Sequence, residues 1–145
     1  MTMAHKLIEK ETVKLGSIYQ GSTTLICPRC GGEYLHQRTV RIFYREEDDE
    51  MTATTTVREG LSATHLRPSA EVGNPSVRRD GMAIAFFCEG CSDKYDERTH
   101  LELTVAQHKG VSMLGWRYFV EVPDESGVRP TTVVIQSKNR QNPLT

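Results

Sequence analysis

Apolar positions in this chain tend to recur at every second residue, the period of β-strands rather than helices. The cleanest stretch is residues 100–107, where Leu101, Leu103 and Val105 alternate with Glu102 and Thr104. The apolar set is expected to face a core and the polar set to face water. His108-Lys109-Gly110 reads as a turn, and residues 111–122 as the partner strand. In that strand Trp116 and Tyr118 share one face and Phe119 points the other way. A second hairpin is expected over residues 34–57. Val40, Ile42 and Tyr44 alternate there with Thr39, Arg41 and Phe43, and the β-branched run at 52–57 returns. Its tip is the acidic run Glu46-Glu47-Asp48-Asp49-Glu50, which mutual repulsion should keep in solvent.

Shorter signals complete the pattern. Residues 23–26 form a β-type run leading into Cys27, and the apolar run 82–87 reads as a buried strand delivering Cys88. Residues 131–135 suit an edge strand. Leu7, Ile8, Val13 and Leu15 fit either a short helix or an early strand. Residues 58–81 carry Gly60, Pro68, Gly73, Pro75 and Gly81 with few large apolar groups, and are expected to form a long inserted loop.

The chemistry concentrates in the cysteines. All four fall in two C-x2-C pairs, Cys27-Pro28-Arg29-Cys30 and Cys88-Glu89-Gly90-Cys91. Two thiolates three residues apart in a tight turn can reach one ion, and a set of four cysteines is a common structural zinc site. Gly31 permits the backbone angles such a turn needs, and Gly90 is placed to help in the second. A redox dithiol normally comes as a single pair beside a βαβ unit, which is not the pattern here. Iron in the same four sulfurs is the minor alternative. Four thiolates leave no open position, so the expected cofactor is one structural Zn2+ that does no chemistry. The 57 residues between Cys30 and Cys88 far exceed the roughly 15–20 of the simplest ribbons. The expected fold is therefore mostly β, with little helix: a zinc-ribbon-like core, two β-hairpins and a long inserted loop. The expected division is an N-terminal extension at 1–20, the β domain at 21–136 and a flexible tail at 137–145.

Charge narrows the function. Eighteen basic and nineteen acidic residues give a net charge of −1, spread evenly along the chain. That balance lacks the basic stripe of a nucleic-acid binder. No apolar run long enough to span a membrane and no signal-peptide core occur, so the expected location is cytoplasmic. Arg78 and Arg79, with nearby Arg67, are the candidate contacts for an acidic partner or an anion. Solvated charge, or a salt bridge to Asp80, is the competing account. The five histidines, His5, His36, His65, His100 and His108, show no H-x3-H spacing, and no nucleophile or metalloprotease motif appears. The chain is therefore expected not to be an enzyme. Trp116, Tyr118 and Phe119 are read as core rather than as a base-stacking platform.

Beyond the cysteine pairs, the chain carries Asn74-Pro75-Ser76, Arg78-Arg79-Asp80-Gly81, Gln107-His108-Lys109-Gly110 and Trp116. Over residues 27–116 it resembles uncharacterised zinc-ribbon proteins of bacteria and their phages. The resemblance implies a mobile-element setting and action on a host factor or defence system, and it supplies no catalytic residue. The expected function is non-catalytic binding of a macromolecule, a protein ahead of nucleic acid. A nucleic-acid-binding ribbon and an enzyme using the 58–81 loop are the alternatives.

Overall fold

The computed structural model describes residues 3–91 and 101–123. Nine strands account for most of them: β1 (Met3–Glu11), β2 (Leu15–Tyr19), β3 (Ser22–Leu25), β4 (Leu35–Tyr44), β5 (Met51–Arg58), β6 (Leu61–Pro68), β7 (Gly81–Cys88), β8 (Leu101–His108) and β9 (Val111–Pro123). Helix among the described residues is limited to 3-10 turns at Ser69–Glu71 and Glu89–Cys91. The chain is mostly β, as expected. The strand proposed at 131–135 and the tail at 137–145 lie outside the described residues.

Seven strands form one antiparallel sheet in the order β1-β9-β8-β7-β4-β5-β6, and β2 and β3 form a separate hairpin. The open choice for residues 3–11 is settled as a strand, paired along β9 with Leu7 opposite Phe119 and Ile8 opposite Tyr118. Three hairpins close on two residues: Gln20-Gly21, Glu59-Gly60 and Lys109-Gly110. In each, both central residues have positive φ, at 51° and 80°, 50° and 78°, and 47° and 83°. That is the requirement of the type I′ turn, whose twist matches that of the strands it joins.

The segment expected as a loop at 58–81 is half strand. β6 pairs with β5 over its whole length and extends the sheet to its far edge, ending at Pro68, which has no N–H to offer a further strand. Residues 69–80 remain irregular but are tightly secured. Asn74 donates from Nδ2 to the Arg79 carbonyl (2.8 Å) and accepts from the Ser76 amide (2.9 Å). Ser76 donates to the Asp80 carbonyl and accepts from the Gln107 amide at 2.8 Å. Val72 is buried against Phe43 and Ala83. At Gly81 the loop lies so close that any Cβ would strike Asn74 and Pro75.

Glu102 and Thr104 do not face water. Both are buried, so the strand that carries them is covered on both faces. Glu102 accepts from Arg117 of β9 (3.1 Å) and from Arg41 of β4 (2.7 Å). β7 lies between β4 and β8, and its Ala83 and Ala85 stand opposite Arg41 and Glu102. Their short side chains leave the Arg41 guanidinium a path across the intervening strand. A carboxylate is rarely buried unless it is paired in this way.

Candidate metal centre

The two cysteine turns meet because β4 and β7 are neighbours. The first turn runs from the end of β3 into β4 and the second follows β7, while the ladder sets Leu35 opposite Cys88. The long separation in sequence is thus taken up by β4, β5, β6, the 69–80 loop and β7, which leave the ribbon and return to it. A hydrogen bond from the Glu89 amide to the Tyr34 carbonyl (3.1 Å) ties one turn to the other.

The four Sγ atoms lie within 4.8 Å of one another. Cys27 and Cys91 approach to 3.7 Å, and Cys30 and Cys88 to 3.5 Å. Metal–sulfur bonds of about 2.3 Å in a tetrahedron require sulfur–sulfur edges of roughly 3.8 Å, so these sulfurs can share one tetrahedral cation. The first turn is built for that purpose. The Cys27 amide donates to the Gly32 carbonyl (2.8 Å), the Gly31 amide donates to the Cys27 carbonyl (2.9 Å), and the Gly32 amide points at the Cys30 sulfur (3.4 Å). Gly31 holds φ at 78°. Gly90 serves space rather than φ, since a Cβ there would sit 3.0 Å from the Cys30 sulfur.

Cys27, Cys88 and Cys91 are buried and Cys30 is exposed. The buried three form part of the main core with Leu101, Trp116 and Tyr118, against which Ile8, Leu25, Leu35, Phe86 and Leu103 pack. As free thiols, Cys30 would titrate apart from Cys88 and Cys91. Burial, aided by the Cys30 and Cys27 thiols, pushes Cys88 up to about 11 and acts on Cys91 in the same direction. At Cys30 burial opposes ionisation, but the Gly32 amide and the neighbouring thiols outweigh it and the thiol falls below its ordinary value. Cys30 therefore ionises more easily than an ordinary thiol, whereas Cys88 and Cys91 need a cation beside them to follow.

Surrounding groups hold the centre in place. Glu33 accepts from the Ser17 amide (2.6 Å), the Ser17 hydroxyl (3.1 Å) and the Thr24 hydroxyl (2.8 Å), fastening the first turn to the β2–β3 hairpin. These bonds hold the Glu33 carboxyl below the usual carboxylate range. Tyr118 donates to Glu11, and the Arg29 guanidinium lies 5.8 Å from the Tyr118 ring centre. Burial first, and that bond second, push the Tyr118 phenol well up.

The arginines singled out in the sequence have other neighbours. Arg78 makes a two-pronged contact with Asp48, at 2.7 Å from Nε and 2.5 Å from Nη2, and also reaches Glu47 at 2.9 Å. Arg79 meets Glu47 at 3.0 Å. The Arg45 amide donates to Asp80 (2.8 Å), and its guanidinium donates to the Val77 carbonyl (2.8 Å) and the Asp49 carbonyl (2.7 Å). The acidic run and the arginine pair, separate features in the sequence, are thus two halves of one clasp. Arg67 stands on β6 opposite Thr52. His5, His36, His65 and His108 fall on β1, β4, β6 and β8, and His100 lies outside the described residues. Sequence reasoning placed Glu102 on the outward face of its strand, because the strand order that brings Arg41 and Arg117 to it has no local signature.

The chain matches no protein-family model, no curated protein and no solved structure. Four convergent cysteines on an antiparallel sheet define it as a β protein with a candidate metal centre. No helix among the described residues is long and apolar enough to cross a membrane.

Proposed function

We propose that this protein is a non-catalytic scaffold, stapled by one structural zinc ion, that binds a macromolecular partner. The observation that carries the reading is the closed set of four thiols embedded in the core, at edge lengths suited to a tetrahedral ion. Zinc fits because it accepts four thiolates without redox chemistry, and four sulfurs leave no position for a substrate. The partner is a protein rather than a nucleic acid. Net charge is −1, and the Arg78 and Arg79 charges already face Glu47 and Asp48, so an anionic backbone would have to displace those acids. The resemblance to bacterial and phage zinc-ribbon proteins suggests a host factor as that partner, met in the cytoplasm.

The test is elemental analysis of the full-length protein purified without added metal, followed by capture of cell extract on the zinc-loaded and chelated forms. About one zinc per chain is expected, with a protein retained by the loaded form and lost on chelation. Sub-stoichiometric metal with free thiols, or retention of DNA that falls steeply with salt, would refute the reading.

A further inference from the structure

The four sulfurs of the candidate metal centre differ in their access to water. Cys30 is exposed, whereas Cys27, Cys88 and Cys91 are buried. Two glycines keep the Cys30 sulfur open. A Cβ on Gly90 would sit 3.0 Å from it, and a Cβ on Gly32 would sit 3.3 Å from it. The sulfurs also pair off across the two turns, Cys30 with Cys88 at 3.5 Å and Cys27 with Cys91 at 3.7 Å. The protein itself holds the turns in this relation. Leu35 stands opposite Cys88 in the β4–β7 ladder, and the Glu89 amide donates to the Tyr34 carbonyl at 3.1 Å. An open sulfur thus lies beside a buried one that arrives from a distant part of the chain.

We propose that Cys30 is a redox modification site, oxidised by hydrogen peroxide and then closed by Cys88 into a disulfide that releases the metal. The proposal rests on the reading of the four thiols as a zinc site. A coordinated thiol is deprotonated outright, so all four sulfurs are thiolates in the loaded protein. Ionisation then does not choose among them, and oxidation follows exposure, which Cys30 alone of the four offers. In the first step the Cys30 thiolate attacks one peroxide oxygen. The O–O bond breaks, hydroxide leaves, and Cys30 becomes a sulfenic acid, having given two electrons to the peroxide. In the second step the Cys88 thiolate attacks the Cys30 sulfur. The S–S bond forms as the S–O bond breaks, and a second hydroxide leaves. In sum, two thiolates and one hydrogen peroxide become one disulfide and two hydroxides. Cys27 and Cys91 are then the only thiolates left, too few for a closed tetrahedral site. The disulfide still joins the two turns, so β4 and β7 stay side by side. A thiol reductant reverses the change by exchange.

Hydrogen peroxide titrated into the zinc-loaded full chain tests the proposal, with a chromogenic chelator present to report released metal. Digestion then locates the disulfide. Arg29 separates Cys27 from Cys30 and Glu89 separates Cys88 from Cys91, so trypsin with a glutamate-specific protease puts each cysteine on its own peptide. Zinc is expected to leave in step with the loss of thiols, with one disulfide, between Cys30 and Cys88. Dithiothreitol and added zinc are expected to restore the loaded form. Brief exposure to peroxide with dimedone, which traps sulfenic acids, is expected to label Cys30 before any other cysteine. Cys30→Ser is expected to lose the disulfide and to release zinc more slowly. If that variant takes up no zinc, the wild-type disulfide map and dimedone label decide by themselves. Zinc retained at peroxide levels that oxidise free glutathione would overturn the proposal. So would a disulfide within one turn, or a first label on a buried cysteine. Each of those outcomes, with zinc stoichiometric before peroxide is added, leaves the zinc-stapled scaffold standing. A purified chain without zinc removes that reading and this proposal together.

Discussion

Glu102 is the residue on which the interior of the sheet turns. It is a carboxylate shared by two guanidiniums, at 2.7 Å and 3.1 Å, with nearly all of its side chain out of water. Such a triad is weak evidence of net stability, because desolvating three charges offsets most of their attraction. Removing its centre is another matter. Glu102→Gln keeps the volume and leaves Arg41 and Arg117 buried beside a neutral amide. The expected loss is roughly 3–5 kcal/mol, the range for an uncompensated buried charge. Urea unfolding would read it as a lower midpoint at unchanged slope, and a loss under about 1 kcal/mol would show that water reaches the arginines. The alternation around Leu101 and Leu103 correctly placed those two in a core, yet it assigned Glu102 to solvent. A period of two separates the faces of a strand without saying how many are covered. The donor set of the candidate metal site was legible, since four cysteines in two equal spacings admit few arrangements. What the sequence did not show was the space: that Gly90 clears the Cys30 sulfur, and that Ala83 and Ala85 clear a path for Arg41.

At the level of elements, two-residue turns carry much of the topology. Gly60 and Gly110 sit at φ 78° and 83°, where an L-residue with a Cβ is strained, and nothing lies within 4 Å of the Cβ either would gain. Gly60→Ala and Gly110→Ala should each cost about 1–2 kcal/mol from backbone strain alone. Chemical denaturation checks this, and no loss at either position would argue against the primed turn. Glu59-Gly60 was also the missed signal for β6. It stands between TATTTVR and LSATHLR, two β-type runs, but the glycines and prolines further on drew the whole stretch into one loop. The acidic run was read correctly as exposed, while its pairing with Arg78 joins positions thirty residues apart and has no local signature. That clasp makes its own prediction. The Arg78 guanidinium, by hydrogen bond and then by charge, holds the Asp48 carboxyl below the usual carboxylate range. Its folded value being lower than its unfolded one, the contribution is complete above the ordinary value. It is lost as pH falls through the depressed one. The Arg78 Nε–H signal in an NMR titration should therefore hold its position down to about pH 4 and move only below it. High salt should also weaken these exposed contacts. A signal already shifting between about pH 5 and 6 would mean that the clasp is open in solution.

For the molecule as a whole, the question is what a metal bound by the four cysteines would hold together. Its sulfurs lie in the larger core, with Leu101, Trp116 and Tyr118, and the small β2–β3 hairpin reaches the sheet through the same turn. Phe43, Val72 and Ala83 form a second core under the 69–80 loop, free of cysteine. The Arg41–Glu102–Arg117 triad spans the strands between them. A metal that joins residues some sixty positions apart restricts the unfolded chain and fixes the folded one, so its binding free energy enters folding directly. The two cores should respond unequally to its removal. Chelation is expected to expose Trp116, the only tryptophan of the chain and fully buried, so its emission should move to longer wavelength. Amide protection should fall over residues 22–35 and 86–91 while persisting over 40–44 and 51–57, where the strands pair with each other and pack on Phe43. Zinc added back should restore both signals together. If protection instead collapses everywhere at the same chelator concentration, the two cores are one cooperative unit and the metal is a condition of the entire fold. If Trp116 does not respond at all, packing alone assembles the cysteine turns.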